Sequence, residues 1–259
     1  LSETFWKFYL ERSDIYMKHS YFYRGFFYIT GLLVLALGIT LNTKTGLGVS
    51  PIISVSFSIS TIWNLNFGNT TLVLYALFVV VEVILHTIRS LRAEKSEGLP
   101  LEHANQMNLK LVLLMDILQF PLSLIFTRFL NLFSGLIPNL QETYVNSFAG
   151  SFAGRILFLI VAIILTGVGA AMSLNMRIIP NPGDGIVQAI ADFIHKSVGF
   201  TKNCFDLFNI CVTISVSLIF THHLVGIGLG TVLAVIGVGR AIAAFNHFFK
   251  KPMASLAGM

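Results

Sequence analysis

The stretch Leu41-Asn42-Thr43-Lys44-Thr45-Gly46-Leu47-Gly48-Val49-Ser50-Pro51 returns, altered, as Leu174-Asn175-Met176-Arg177-Ile178-Ile179-Pro180-Asn181-Pro182-Gly183-Asp184-Gly185. Both copies read Leu-Asn, one residue, then a basic residue. Both end with Ser or Asn in front of Pro, and the spacing differs by two residues. Ser or Asn followed by Pro is the preferred N-cap and first-turn pair of a helix. Each copy therefore predicts a short helix, one starting at Pro51 and one at Pro182. Asp184 falls in the first turn of the second, where a carboxylate meets the positive helix end.

The short helices would occupy weakly apolar segments, 51–63 and 184–197. Six stronger apolar segments surround them, at 26–43, 71–88, 109–133, 153–176, 203–221 and 224–249. The last six match the length of a membrane crossing, about 20 residues. Of the 259 residues, 55% are hydrophobic and 11% are charged. Mean hydropathy is +0.79. A soluble globule needs more charge than this to cover its surface. A water-soluble enzyme, a disordered chain and a disulfide-stapled secreted domain are excluded. An all-α integral membrane protein is the expected class, with the lipid bilayer as its solvent.

Lysine and arginine positions decide whether the weak segments cross. If all eight segments span, the basic residues divide nine inside to six outside. If 51–63 and 184–197 enter and leave on one side, they divide thirteen to two, with Lys44 and Arg155 outside and Arg128 and Arg240 uncounted. The second division fits the positive-inside rule far better. The expected architecture is six transmembrane helices plus two re-entrant half-helices, with both termini cytoplasmic in a cell membrane, the bacterial inner membrane being the natural place. About six extended residues and a 13-residue helix each reach about 20 Å, enough to enter a core about 30 Å thick and return. Three crossings per half is an odd number, so the second half would be inverted relative to the first. Residues 1–22 mix aromatic and charged side chains and read as an interfacial amphipathic helix. The first membrane repeat then covers 23–133, an extracytoplasmic loop 134–152, and the second repeat 153–251. No cleavable leader is expected, because roughly 20 polar and aromatic residues precede the first apolar run.

Gly46-Leu47-Gly48-Val49-Ser50-Pro51, Asn181-Pro182-Gly183-Asp184-Gly185 and Gly226-Ile227-Gly228-Leu229-Gly230-Thr231 resemble the YczE/YyaS/YitT-type bacterial integral membrane proteins. The resemblance covers about residues 24–250. It implies a membrane location and transport, with no substrate and no catalytic residues. Ile52 and Ile53 stand where such families often carry an aromatic and an acid after Ser-Pro.

Broken helices that meet near the midplane of inverted repeats are typical of transporters and some channels. Two helix N-termini there would form a partly positive spot for an anion. Ser50, Ser54, Asn181, Gly183 and Gly185 would line it, and Asp184 would add a carboxylate. That mixture suits a zwitterion better than a simple anion. The alternative for the same residues is capping and packing. Arg240, Asp116 and Glu82 lie at similar depths in their spans, and intramembrane charges pair or face the bundle interior. Arg240 is expected as a substrate clamp, with Glu82 and Asp116 as coupling or proton-bearing groups. The alternative is a structural pair of Arg240 with Asp116 or Glu82. Glu82 and His86 share a helix face at i, i+4. Asp206, Asn209, Gln119 and Gln188 are weaker candidates.

The glycines from Gly226 to Gly239 read as a packing face. No strand precedes them and no Lys-Ser/Thr follows, so they are not a phosphate loop. Ser54, Ser56, Ser58 and Ser60 would scatter around a helix. No nucleophile, base and acid combine, so an enzyme is not expected. No metal, cofactor or nucleic acid is expected. The expected function is a transporter or facilitator for a small anionic or zwitterionic solute, with ion or proton coupling open. A passive channel and a membrane-embedded binding subunit are the alternatives, and a homo-oligomer is an open possibility.

Overall fold

The structure is a computed structural model. It describes the backbone of residues 2–96 and 109–259, and the side chains of residues 20–92 and 110–259. The helices are α1 (Ser2–Lys44), α2 (Pro51–Ile62), α3 (Phe67–Ser96), α4 (Leu109–Leu136), α5 (Leu140–Thr143), α6 (Phe152–Asn175), α7 (Pro182–Ile194), α8 (Val198–Thr221) and α9 (Leu229–Leu256), with a 3-10 turn at Phe148–Gly150. There is no strand among the described residues. Six of the helices are long and apolar enough to cross a membrane: α1 from Ser20, α3, α4, α6, α8 and α9. The 12 residues of α2 and 13 of α7 rise only about 18 and 20 Å, short of a membrane core about 30 Å thick.

The starts of α2 and α7 fall where Ser-Pro and Asn-Pro put them. The Asn181 side chain accepts a hydrogen bond from the Gly183 amide and caps α7. Ser50 holds the equivalent place before α2, but its hydroxyl makes no cap bond. One expectation is corrected. The interfacial helix over 1–22 is not a separate element, because Ser2–Lys44 runs as one helix; the amphipathic pattern before Ser20 rests on side chains outside the described residues. Asp116, Gln119 and Pro121 lie within α4, which runs through them as the single segment 109–133 predicts.

The centre of the bundle is the crossing of α1 and α6. Small residues bring the backbones close, as is usual where lipid offers no hydrophobic drive between helices. A Cβ on Gly31 would sit 2.7 Å from the Ser173 amide and 2.9 Å from the Gly169 carbonyl. One on Gly38 would sit 2.5 Å from the Thr166 amide. The other helices pair off around this crossing in a reciprocal pattern. α4 packs on α1 and α9 on α6; α2 packs on α8 and α7 on α3. Directions match too. Ser54 bonds Thr213 and Ser58 bonds Ser217, so α2 runs parallel to α8. Glu82 lies over Gly185, and Arg89 pairs with Asp192, so α7 runs parallel to α3. One pairing breaks the pattern: α3 packs along α4, whereas α8 and α9 stand apart.

The linkers before the short helices are held in the same reciprocal way. Arg24, at the start of the apolar part of α1, donates to the Met176 and Arg177 carbonyls at 2.8 and 3.0 Å. Arg155, at the start of α6, donates to the Thr45 carbonyl at 3.4 Å. Each half thus clamps the chain that leads into the other half's short helix. Arg24→Ala strands two loop carbonyls and is expected to cost about 1–3 kcal/mol. A lower melting temperature in detergent checks this, and an unchanged one would mean the linker is held by Tyr28, whose hydroxyl donates to Ile179.

The glycines before α9 do pack, and against the first linker. The Val49 amide donates to the Gly226 carbonyl at 2.9 Å, and the Gly230 amide to the Leu47 carbonyl at 2.6 Å. Gly48 has φ +107, a conformation that L side chains rarely adopt, and its Cβ would lie 2.6 Å from the Gly228 amide. Two segments of bare backbone meet here, which explains why both are glycine-rich.

Candidate functional site

The first turns of α2 and α7 are neighbours through one side chain: a Cβ at Gly183 would lie 2.8 Å from Ile52 Cδ1.

Among the expected tip residues, two are uncommitted. The Ser50 side chain is partly buried and the Asp184 side chain is partly exposed. Neither side chain is held by a hydrogen bond within the described residues. Asn181 is buried and caps Gly183. Its other neighbour is the buried Tyr75 of α3, which reaches the Asn181 side chain and lies near Asp184. Ser54 is committed: its hydroxyl contacts the Thr213 hydroxyl at 2.7 Å and the Pro51 carbonyl at 2.7 Å. Gly183 and Gly185 leave room for Ile52 and for the Glu82 and Gln119 oxygens respectively.

The charge around Asp184 comes from α8. Lys202 and Asp206 both act on it electrostatically. Lys202 Nζ lies 3.6 Å from one oxygen of Asp206, and the other oxygen of this buried carboxylate has no partner. Two carboxyl groups, Asp184 and Asp206, stand around the one ammonium of Lys202 on this side.

Arg240 does not join this site. It is exposed on α9, away from the face that packs on α6. Its expected pairing with Asp116 or Glu82 is not found. Asp116 Oδ2 sits 2.7 Å from His86 Nδ1. Glu82 accepts from Gln119 Nε2 at 2.6 Å. Both pairs join α3 to α4. Glu82 and His86, which share a face of α3, therefore make two parallel rungs across that interface. Arg240→Gln is expected to leave stability within about 0.5 kcal/mol, as at a surface position. A thermal melt of the variant checks this.

The serines of α2 divide between two neighbours. Ser54 and Ser58 face Thr213 and Ser217 of α8, and Ser56 accepts from Thr71 of α3. Thr213→Val should cost only about 0.6 kcal/mol in coupling with Ser54, the usual size of an interhelical bond in a membrane. A double-mutant cycle with Ser54→Ala reads that term.

Sequence reasoning did not find the cavity at the other end of α2. It has a volume of about 510 Å³ and is lined by polar residues including Lys44, Ser60, Asn66, Gln141 and Glu142, with Phe57 among them. That is within the usual range for small-molecule sites. It lies at the end of the bundle where α1 ends and α3 begins. No span carries more than one or two of its residues, so no segment taken alone signals it. Tyr75 was also missed, because one tyrosine in an apolar span has no distinguishing pattern.

Compared with known proteins, residues 22–94 and 105–247 match the model of a family of unknown function, DUF6198. No curated protein and no solved structure matches the chain. The match carries the likeness read from the glycine and proline motifs as far as an uncharacterised family, and no YczE/YyaS/YitT-type name attaches to it.

Proposed function

Because the chain belongs to DUF6198, a family of unknown function, its activity has to be read from its own geometry, and we propose that it is a membrane transporter or facilitator for a small anionic or zwitterionic solute. The observation that carries this reading is the nearness of the first turns of α2 and α7, through Ile52 against Gly183, with Asp184 and Ser50 beside them and unbonded. Asp184 favours the zwitterion: its carboxylate takes the ammonium end, and the Ser50 hydroxyl with the first amides of α2 takes the carboxylate end.

In this reading α2 and α7 are re-entrant half-helices of two inverted repeats. Three features support it. Each is too short to cross, each runs parallel to a span of the other half, and each linker is clamped by the other half's arginine. Non-helical backbone at membrane depth is tolerated where protein buries it, and Arg24, Tyr28 and Arg155 supply the donors. The thirteen-to-two division of basic residues orients both termini to the cytoplasm of a cell membrane. The cavity beside Lys44 and Glu142 then opens outside, as a vestibule above α2.

Thermal stabilisation of the purified protein by a panel of amino acids and small anions tests the proposal. A ligand at 100 times its dissociation constant adds about 2.7 kcal/mol. Stabilisation by an amino acid, followed by saturable uptake of it into proteoliposomes, supports a transporter. Fast, non-saturating flux would support a channel instead. No stabilisation by any member would overturn the binding site.

A further inference from the structure

We propose that Glu82 and Gln119 hold a transported proton: Glu82 is a neutral carboxyl in this arrangement, and its release and recapture of the proton is the coupling step. The inference rests on the transporter reading for its purpose, but not for its evidence.

The evidence is an unmet demand for hydrogen. Glu82 and Gln119 are each 1% exposed. Gln119 Nε2 donates to Glu82 Oε2 at 2.6 Å, which uses one atom of each side chain. Glu82 Oε1 and Gln119 Oε1 are buried and have no partner. Both lie 2.9 Å from the point a Cβ on Gly185 would occupy, so both crowd the same bare face of α7. Two buried acceptors turned to one place, with no donor, are costly. One proton on Glu82 Oε1 removes the difficulty. The carboxyl becomes a donor, Gln119 Oε1 becomes its acceptor, and a carboxylic acid and a primary amide pair through both of their atoms. No charge is left in the span, where an ionised carboxylate is expensive.

The surroundings give this proton a way in and a reason to leave. From α3, His86 and Arg89 lie one and two turns further along, and from α4, Asp116 pairs with His86. The His86 side chain is 13% exposed and bonded to Asp116 one turn from Glu82, toward the inner end of the bundle. From α7, Asp184 and Asp192 are the charged residues, and α2 carries no titratable side chain. Gly185 is one turn from the tip that neighbours α2 through Ile52. Any movement of α7 that admits solute at the tip also moves the backbone off the Glu82–Gln119 pair and lets water reach it. The balance is simple: unloading leaves a Glu82 carboxylate and one hydrated proton, and loading reverses it.

Infrared difference spectroscopy of the full chain in phosphatidylcholine vesicles, stepped through pH, reads the carboxyl directly and needs no transported solute. Its failure and the failure of the tip-site reading are therefore distinguishable. The expected result is a protonated-carboxyl stretching band that is lost at high pH and is absent in Glu82→Gln at every pH. The band should persist in Asp116→Asn and move to higher frequency in Gln119→Leu, where the hydrogen bond is lost. Glu82→Gln keeps the neutral shape and so should fold; should it not, a moved band in Glu82→Asp gives the same assignment. A spectrum with no Glu82-dependent band overturns the proposal. So does thermal stabilisation by sodium that disappears in Glu82→Gln, because these oxygens would then be cation ligands.

Discussion

Gly38→Leu is expected to eliminate folded protein. The Cβ alone would stand 2.5 Å from the Thr166 amide and 2.9 Å from the Ala162 carbonyl of α6. These are backbone atoms of the helix at the centre of the bundle, so no side chain can turn aside. Overpacking typically costs 1–3 kcal/mol where side chains can shift. Here the two helices must separate along their whole crossing, and about 4–5 kcal/mol, the extreme for one substitution, is the appropriate scale. Size-exclusion yield after detergent extraction measures the loss. Gly25→Leu is the control on the same helix, because a Cβ there meets nothing within 4 Å. Equal yields for the two variants would mean that α1 and α6 are not in close contact.

Asp184→Asn is expected to abolish stabilisation by a zwitterion. The carboxylate sits at the tip of α7, partly exposed, beside Lys202 and Asp206. Removing one member of a partly buried charge pair costs about 2–3 kcal/mol, roughly 30- to 140-fold in Kd. The change is close to isosteric, so the melt without ligand should hardly move. A carboxylate solute without an amine should keep its affinity or gain, because a like charge has been removed. If both solutes lose affinity equally, Asp184 shapes the tip and does not contact the ammonium.

The sequence carried the positions of the short helices because their starts are chemical signals. Ser50-Pro51 and Asn181-Pro182 state a cap and a first turn in two residues. What it did not carry is the rotation of each span about its own axis. A helix that is apolar nearly all round has no stripe to show which face is inward. Arg240 therefore looked interior and is exposed, while His86 looked placed for Glu82 and meets Asp116. Those partners depend on how α3 and α4 turn against each other. The continuity of α1 was equally hidden, since its polar first half and apolar second half read as two elements and no breaker stands between them. Ser54 was legible as a buried polar residue, but its partner Thr213 lies 159 residues away. The two uncommitted groups, Ser50 and Asp184, could only be told from the committed Ser54 and Asn181 once their neighbours were in place.

The central claim is that α2 and α7 enter the membrane from opposite sides and return. Single cysteines in a Cys204→Ser, Cys211→Ser background, labelled in intact cells with an impermeant thiol reagent, test it directly. Lys44→Cys and Asn64→Cys flank α2, and Arg177→Cys and Lys196→Cys flank α7. Labelling of positions 44 and 64 from outside, with 177 and 196 labelled only after the cells are opened, is the predicted result. Labelling of 44 and 64 from opposite sides would make α2 a crossing and contradict the account.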